Sequence, residues 1–135
     1  MNKRSLLLRK IEVRELIRQG FRNVLKCSKV PAEGSGHRRV KFWLYCFCLD
    51  YGLDFHTECT FINGSRADFV VEDWKLCFEV MSNERKVDKK VYPLEIIRIP
   101  ANVNPIDLLT MLVELKDTTG GCYEFYQKKA WVNIK

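Results

Sequence analysis

Three carboxylates interrupt otherwise apolar, strand-like runs. Glu58 lies in Phe55-His56-Thr57-Glu58-Cys59, Asp68 in Arg66-Ala67-Asp68-Phe69-Val70-Val71, and Glu79 in Cys77-Phe78-Glu79-Val80-Met81. Side chains alternate across a strand, so a suitable register between the second and third runs sets Asp68 beside Glu79. Carboxylates held close repel one another unless a cation lies between them, and such a cluster favours Mg²⁺ or Mn²⁺, which prefer oxygen ligands. The alternative is that the acids face solvent. His37 and Lys41, four residues apart, share one face of a helix from which both can approach a substrate; the competing reading makes His37 a surface residue at a helix start.

The cysteines offer a different chemistry, and their spacing argues against it. None of the six (Cys27, Cys46, Cys48, Cys59, Cys77, Cys122) forms a C-x-x-C pair, so zinc spacing is absent. Cys46 and Cys48 fall in an apolar helical pattern and Cys59 and Cys77 in strand-like runs, which reads as buried thiols. Disulfides are not expected in a reducing compartment.

Charge is placed unevenly. Residues 1–45 carry twelve Lys/Arg against three Asp/Glu, or +9, and residues 46–135 carry eleven against fourteen, or −3, which together give the net +6. A basic segment beside an acidic remainder suits a protein that attracts a polyanion and holds metal ions with its acids. Arg14, Arg18 and Arg22 admit a second reading, as the solvated face of an amphipathic helix.

The elements that must position these groups follow from periodicity. Val13, Leu16, Ile17, Phe21, Val24 and Leu25 have helical spacing over residues 11–25, interrupted or ended near Gly20. Residues 27–36 are rich in Ser, Pro and Gly and read as a connection. Val40, Trp43, Leu44, Phe47, Cys48 and Tyr51 make an apolar stripe on a helix that Gly52 terminates. Residues 55–62 and 65–71 form a hairpin about Asn63-Gly64, Glu72-Asp73 turns the chain again, and residues 74–81 make a third strand. A polar segment, 82–90, leads to a fourth strand over 92–99, where Pro93 demands an edge or the strand start. Asn104-Pro105 opens a helix, and residues 121–135 add one or two strands. The fold class is α/β with a mixed central sheet: a three-stranded antiparallel meander plus a further strand, flanked by helices. One domain is expected, with residues 1–36 a basic leader and loop belonging to it and residues 37–135 its core.

With 47% hydrophobic and 30% charged residues, the composition excludes general disorder. The longest apolar runs fall well short of the ~20 residues that cross a bilayer, and Leu6-Leu7-Leu8 runs straight into Arg9-Lys10 without a secretory apolar region. A cytoplasmic protein with no membrane partner is the expectation.

The ordered set His37-x-x-x-Lys41, Thr57-Glu58, Gly64-Ser65-Arg66-Ala67-Asp68, ten intervening residues, then Phe78-Glu79-Val80-Met81-Ser82 resembles the PD-(D/E)XK, restriction-endonuclease-like nuclease superfamily. Its competence-protein CoiA-like branch is the nearest, and the resemblance spans roughly residues 37–115. It implies a restriction-endonuclease-like core and Mg²⁺- or Mn²⁺-assisted hydrolysis of phosphodiesters in DNA, structured or damaged DNA among its forms, with RNA left open. Asp68 and Glu79 would be metal ligands, with the Val80 carbonyl and Glu58 as further donors. Glu58, Asp68, Glu79 and Lys41 would be catalytic; His37, Arg38, Arg66, Ser82 and Lys86 would contact nucleic acid. Nucleases of this type that cut both strands often dimerise, so a homodimer is implied as well. The usual motif has Lys two residues after the second acid, where this chain has Met81. A thioether neither positions water nor supplies charge. Either a displaced lysine (Lys41, Lys75 or Lys86) takes over, or the domain binds nucleic acid without cutting it.

Overall fold

The computed structural model describes residues 2–27, 34–81 and 91–118. The chain runs α1 (Lys3–Leu16), β1 (Ile17–Arg22), α2 (Ser35–Tyr51), β2 (Phe55–Phe61), β3 (Arg66–Val71), β4 (Leu76–Met81), β5 (Glu95–Pro100) and α3 (Pro105–Thr118). The five strands lie in the order β1-β2-β3-β4-β5, antiparallel except for the parallel β4–β5 pair. The mixed α/β architecture agrees with the sequence, but its first strand, β1, is one the sequence did not suggest. The helix expected over residues 11–25 is corrected: helical structure ends at Leu16, and the chain continues as the edge strand β1, so the leader joins the sheet. The strands expected beyond residue 120 lie outside the described residues.

Local chemistry explains most boundaries. Asn2 caps α1, its side chain accepting the Ser5 N–H at 2.8 Å. Gly52 ends α2 in the left-handed conformation at φ 64°, where its amide meets the carbonyls of Cys48 and Leu49. Asn63 and Gly64 turn β2 into β3, with Gly64 at φ 87°. Asn104 accepts the Ile106 N–H at 2.8 Å, just ahead of Pro105 at the first position of α3. Trp74, expected in a strand, is instead a buried turn residue whose ring lies 5.9 Å from Phe47. Pro93 precedes β5, so β5 keeps its full ladder to β4.

Both sheet faces are covered. Phe55, Phe69, Val71, Phe78, Val80 and Ile99 pack under Val40, Leu44 and Phe47 of α2 and Leu108 and Leu112 of α3. On the other face Cys59, Phe61, Ala67, Val70 and Cys77 pack with Val13 of α1 and Leu94. Cys48, Cys59 and Cys77 are buried free thiols, as expected, and burial raises all three pKa values, that of Cys59 to about 12.

Buried charge fastens α1 and β1 to the sheet. Glu72, fully buried in the β3–β4 turn, lies 2.5 Å from His56 Nε2, 2.8 Å from Arg22 Nε and 3.6 Å from Arg14 Nε. Beside it Asp54 pairs with Lys10 and, at 3.4 Å, with Arg22, while Asp73 Oδ1 accepts the Asp54 N–H at 2.8 Å. The reading of Arg14, Arg18 and Arg22 as one helix face is therefore corrected: Arg14 is on α1, the other two are on β1, and two of the three hold Glu72. Burial opposes the Glu72 charge, but its bonds to His56 and Arg22 outweigh that and hold its pKa below the ordinary value. The bond to Glu72 raises Arg22 in turn. Among the described residues no helix is long and apolar enough to cross a membrane.

Candidate functional site

Glu58, Asp68 and Glu79 lie toward the end of the meander away from Glu72, where the sheet's regularity breaks. Glu58 has φ 48°, a left-handed conformation in the middle of a strand that costs an ordinary residue about 1–2 kcal/mol. The break changes which way β2 faces: Phe55 belongs to the α2-side core, Cys59 and Phe61 to the α1-side core. β3 changes phase too, with Phe69 and Val71 on the α2 side and Ala67 on the other. Its register with β4 runs from Val71–Leu76 to Phe69–Phe78 and stops at Asp68. There the Asp68 side chain takes the place of a backbone acceptor, Oδ2 receiving the Val80 N–H at 2.7 Å.

α2 delivers both of the residues that the sequence placed on one helix face. His37 Nε2 lies 3.2 Å from Asp68 Oδ1. One turn further on, Lys41 is wholly buried, and its Nζ lies 3.2 Å from Glu58 Oε1. The helix comes this close because Gly36 has no side chain: a Cβ there would meet the Ala101 carbonyl oxygen at 2.8 Å. A buried lysine aimed at a carboxylate on a strained backbone is an arrangement that a purely structural sheet does not need. Arg38, next along α2, is exposed.

Glu79 has other company. The Tyr92 hydroxyl donates to its Oε2 at 3.0 Å, and Arg98, its neighbour across the β4–β5 ladder, brings Nε to 3.7 Å. Met81 lies two residues on, and its backbone carbonyl accepts the Ala101 N–H at 2.8 Å. Lys75 pairs with Glu12 at 3.0 Å, far along the strand from Glu79. Lys86 and Ser82 lie outside the described residues.

The oxygen donors are of the type a hard divalent cation takes. Their arrangement does not assemble them: Asp68 is bound by His37 and the Val80 amide, Glu58 by Lys41, and Glu79 by Tyr92 and Arg98. Among the described residues no group of three or more His, Cys, Asp and Glu side chains stands ready for a metal ion. The fork where the β3–β4 ladder ends beside β2 thus brings together two pairs, Lys41–Glu58 and His37–Asp68, and leaves Glu79 with its own partners.

No family matches. Compared with models of known families, with curated proteins and with solved structures, the chain finds no counterpart, and its chemistry has to be argued from the fork itself.

Beside the fork lies an open cavity of about 330 Å³ that includes Gln19 and Phe21 of β1, Lys26, Glu58 and Thr60 of β2, and Arg66 of β3. Arg66, which the resemblance makes a nucleic-acid contact, lines this cavity. Phe21 and Lys26 had not been singled out. Their signal was hidden because the apolar residues over 17–25 match helical spacing, and only the pairing of β1 with β2 turns Phe21 toward Glu58.

Proposed function

We propose that this chain is a nuclease of the restriction-endonuclease-like type, hydrolysing phosphodiester bonds of DNA at the fork between β2, β3 and β4. The observation that carries the reading is the buried Lys41 aimed at Glu58, one helical turn from His37 on Asp68. The element order helix, three-stranded meander, parallel strand, helix supports it, being what the sequence resemblance implies. In this reading Lys41 takes over from the motif lysine that Met81 replaces, putting positive charge where a phosphoryl oxygen gains negative charge. His37, oriented by Asp68, handles a proton. Arg38 and Arg66 contact phosphates on either side.

Mg²⁺ or Mn²⁺ is the cofactor this reading implies; Asp68 and Glu79 would have to give up His37, Tyr92 and Arg98 to hold it, with Glu58 and the Val80 carbonyl as further donors, and when bound such an ion lowers the pKa of water and stabilises charge on phosphoryl oxygens. The proposal places the enzyme in the cytoplasm, as the sequence suggests, keeps RNA as a second substrate, and includes a homodimer for the case in which both strands are cut.

The test is a cleavage screen over single-stranded, duplex, flapped and branched DNA and RNA with Mg²⁺ or Mn²⁺. Cleavage is expected, and it should be lost in Asp68→Ala and reduced at least a hundredfold in Lys41→Met. Absence of cleavage on every form, in wild type and in Met81→Lys alike, would overturn the enzyme reading. A second reading, a nuclease-fold module that binds nucleic acid without cutting, is favoured by the pairing of all three acids and by Met81 itself. Retained binding without cleavage selects it.

A further inference from the structure

We infer that the cavity beside the fork is a subsite for one unpaired nucleotide, with Phe21 as the stacking platform and Lys26 and Arg66 as the phosphate contacts. The inference rests on the proposed nuclease reading only for the placing of a scissile bond next to Lys41; the binding itself stands apart from it.

Phe21 is 42% exposed, an aromatic ring left on the surface of an edge strand when two cores were available to bury it. It lines a concavity of about 330 Å³, near the lower bound of the ~300–1,000 Å³ typical of ligand sites and large enough for a single base rather than a duplex. Lys26 holds its ammonium 5.7 Å from the ring centroid, so one side of the aromatic surface is already flanked by positive charge. Arg66, also exposed, comes into the same cavity from the start of β3. Among the described residues neither Lys26 nor Arg66 forms an ion pair with a carboxylate. The one acid lining the cavity, Glu58, is already matched by Lys41.

An exposed ring flanked by two cations is the combination by which proteins hold single strands: a base stacks on the ring while adjoining phosphates meet the cations. A base inside a duplex has both faces covered by its neighbours and cannot use the ring. The substrate class is therefore an unpaired strand, such as a free end, a gap or a flap, entering from the β1 edge toward Glu58 and Lys41. Deoxyribose and ribose strands share this chemistry, so the experiment carries an arm for each.

The experiment is fluorescence anisotropy with labelled oligo-dT, oligo-rU and a duplex of equal length, in EDTA to separate binding from cleavage. Single strands should bind at least tenfold tighter than duplex. Phe21→Ala should weaken single-strand binding about tenfold and leave duplex binding unchanged, whereas Phe21→Trp should retain affinity and have its indole emission quenched on adding oligo-dT. Lys26→Ala and Arg66→Ala should each flatten the slope of log K against log salt by about 0.7, whereas Lys75→Ala, an equal loss of charge away from the cavity, should not. Equal binding of duplex and single strand, or a folded Phe21→Ala that binds as wild type, overturns the inference. If dT and rU bind alike, the site reads strandedness; if one is preferred, oligo-dU, which differs from rU in the sugar alone, tells sugar reading from contact with the thymine methyl. Stacking without cleavage removes the hydrolysis reading and keeps this one, and cleavage without stacking does the reverse.

Discussion

The two ends of the meander each bury a charged pair between a helix and the sheet, and they treat it in opposite ways. At the β3–β4 turn Glu72 is fully buried and approached by His56, Arg22 and Arg14, with Asp54, Asp73 and Lys10 alongside. At the fork the residue wholly withdrawn from water is the cation Lys41, and its partner Glu58 keeps 19% of its side-chain surface and looks into an open cavity. Several partners on one charge close a site and fasten two elements together. A strained backbone and an open cavity beside the pair leave a site able to exchange the Lys41–Glu58 contact for a substrate. The difference sets the first apart as structural and supports the proposal of a functional site at the second, even though both consist of the same residue types.

The comparison breaks most readily at Glu72. Replacing it by Ala leaves His56 in the interior without its carboxylate and frees Arg22 and Arg14, which should cost about 3–5 kcal/mol. Chemical denaturation of Glu72→Ala should show that loss, and a cost below about 1 kcal/mol would dissolve the contrast between the two ends.

The opposite result is expected at Lys41. Met keeps the length of the stem and removes the charge, and Glu58 can turn its carboxylate to the water of the cavity. Lys41→Met should therefore change stability by no more than about 1 kcal/mol, or raise it, while reducing cleavage at least a hundredfold. A loss of stability as large as that of Glu72→Ala would make Lys41 a second structural charge.

Acid should loosen the Glu72 end. Because the folded-state pKa of Glu72 is held below its ordinary 4.5, its contribution is complete above that value and disappears as pH falls through the folded value. Asp54 behaves likewise: burial opposes its charge, and bonds from Lys10 and Asn23 more than offset that. Asp73 has the reverse sign, since burial raises its pKa and protonation relieves it. Between pH 6 and 3.5 the wild type should lose more stability than Glu72→Gln, measured as the difference in urea midpoint at each pH.

How much of this was legible in the sequence follows the range of the interactions. Gly52, Asn63-Gly64 and Asn104-Pro105 act on the chain within a few residues, and each turn, cap or helix start lies where its chemistry put it. The stripe from Val40 to Tyr51 fixed α2, and with it the shared face of His37 and Lys41. β1 stayed hidden because its strand character comes from its partner: only its first residue is even half-buried, so no alternating pattern was there to read. Its register with β2 also shifts twice, between Ile17 and Gln19 and between Gln19 and Phe21. At the site the residue types were legible and the pairings were not. Which acid receives Lys41, and that Glu79 turns to Tyr92 and Arg98, depends on a phase change at Glu58 and Asp68 that no local signal announces.

The smallest effect tests whether strain alone separates the two ends. Lys75 has φ 55°, close to the 48° of Glu58, and sits in the β3–β4 turn with its N–H donating to the Glu72 carbonyl at 3.2 Å. Its ammonium pairs with Glu12 at 3.0 Å between side chains that are 40% and 58% exposed, a pair worth ~0–1 kcal/mol. Lys75→Gly relieves about 1 kcal/mol of left-handed strain, loses that weak pair and adds some unfolded-state entropy, so the net gain should be about 0.5 kcal/mol or less. At Glu58 the same substitution relieves the same backbone but leaves the buried Lys41 ammonium without its carboxylate, so the sign should reverse. Thermal unfolding of the two glycine variants measures this directly. Equal gains would mean that Glu58 is merely a strained turn-like residue, and a gain at Lys75 set against a loss at Glu58 would mean that the fork keeps its strain in order to hold a charge.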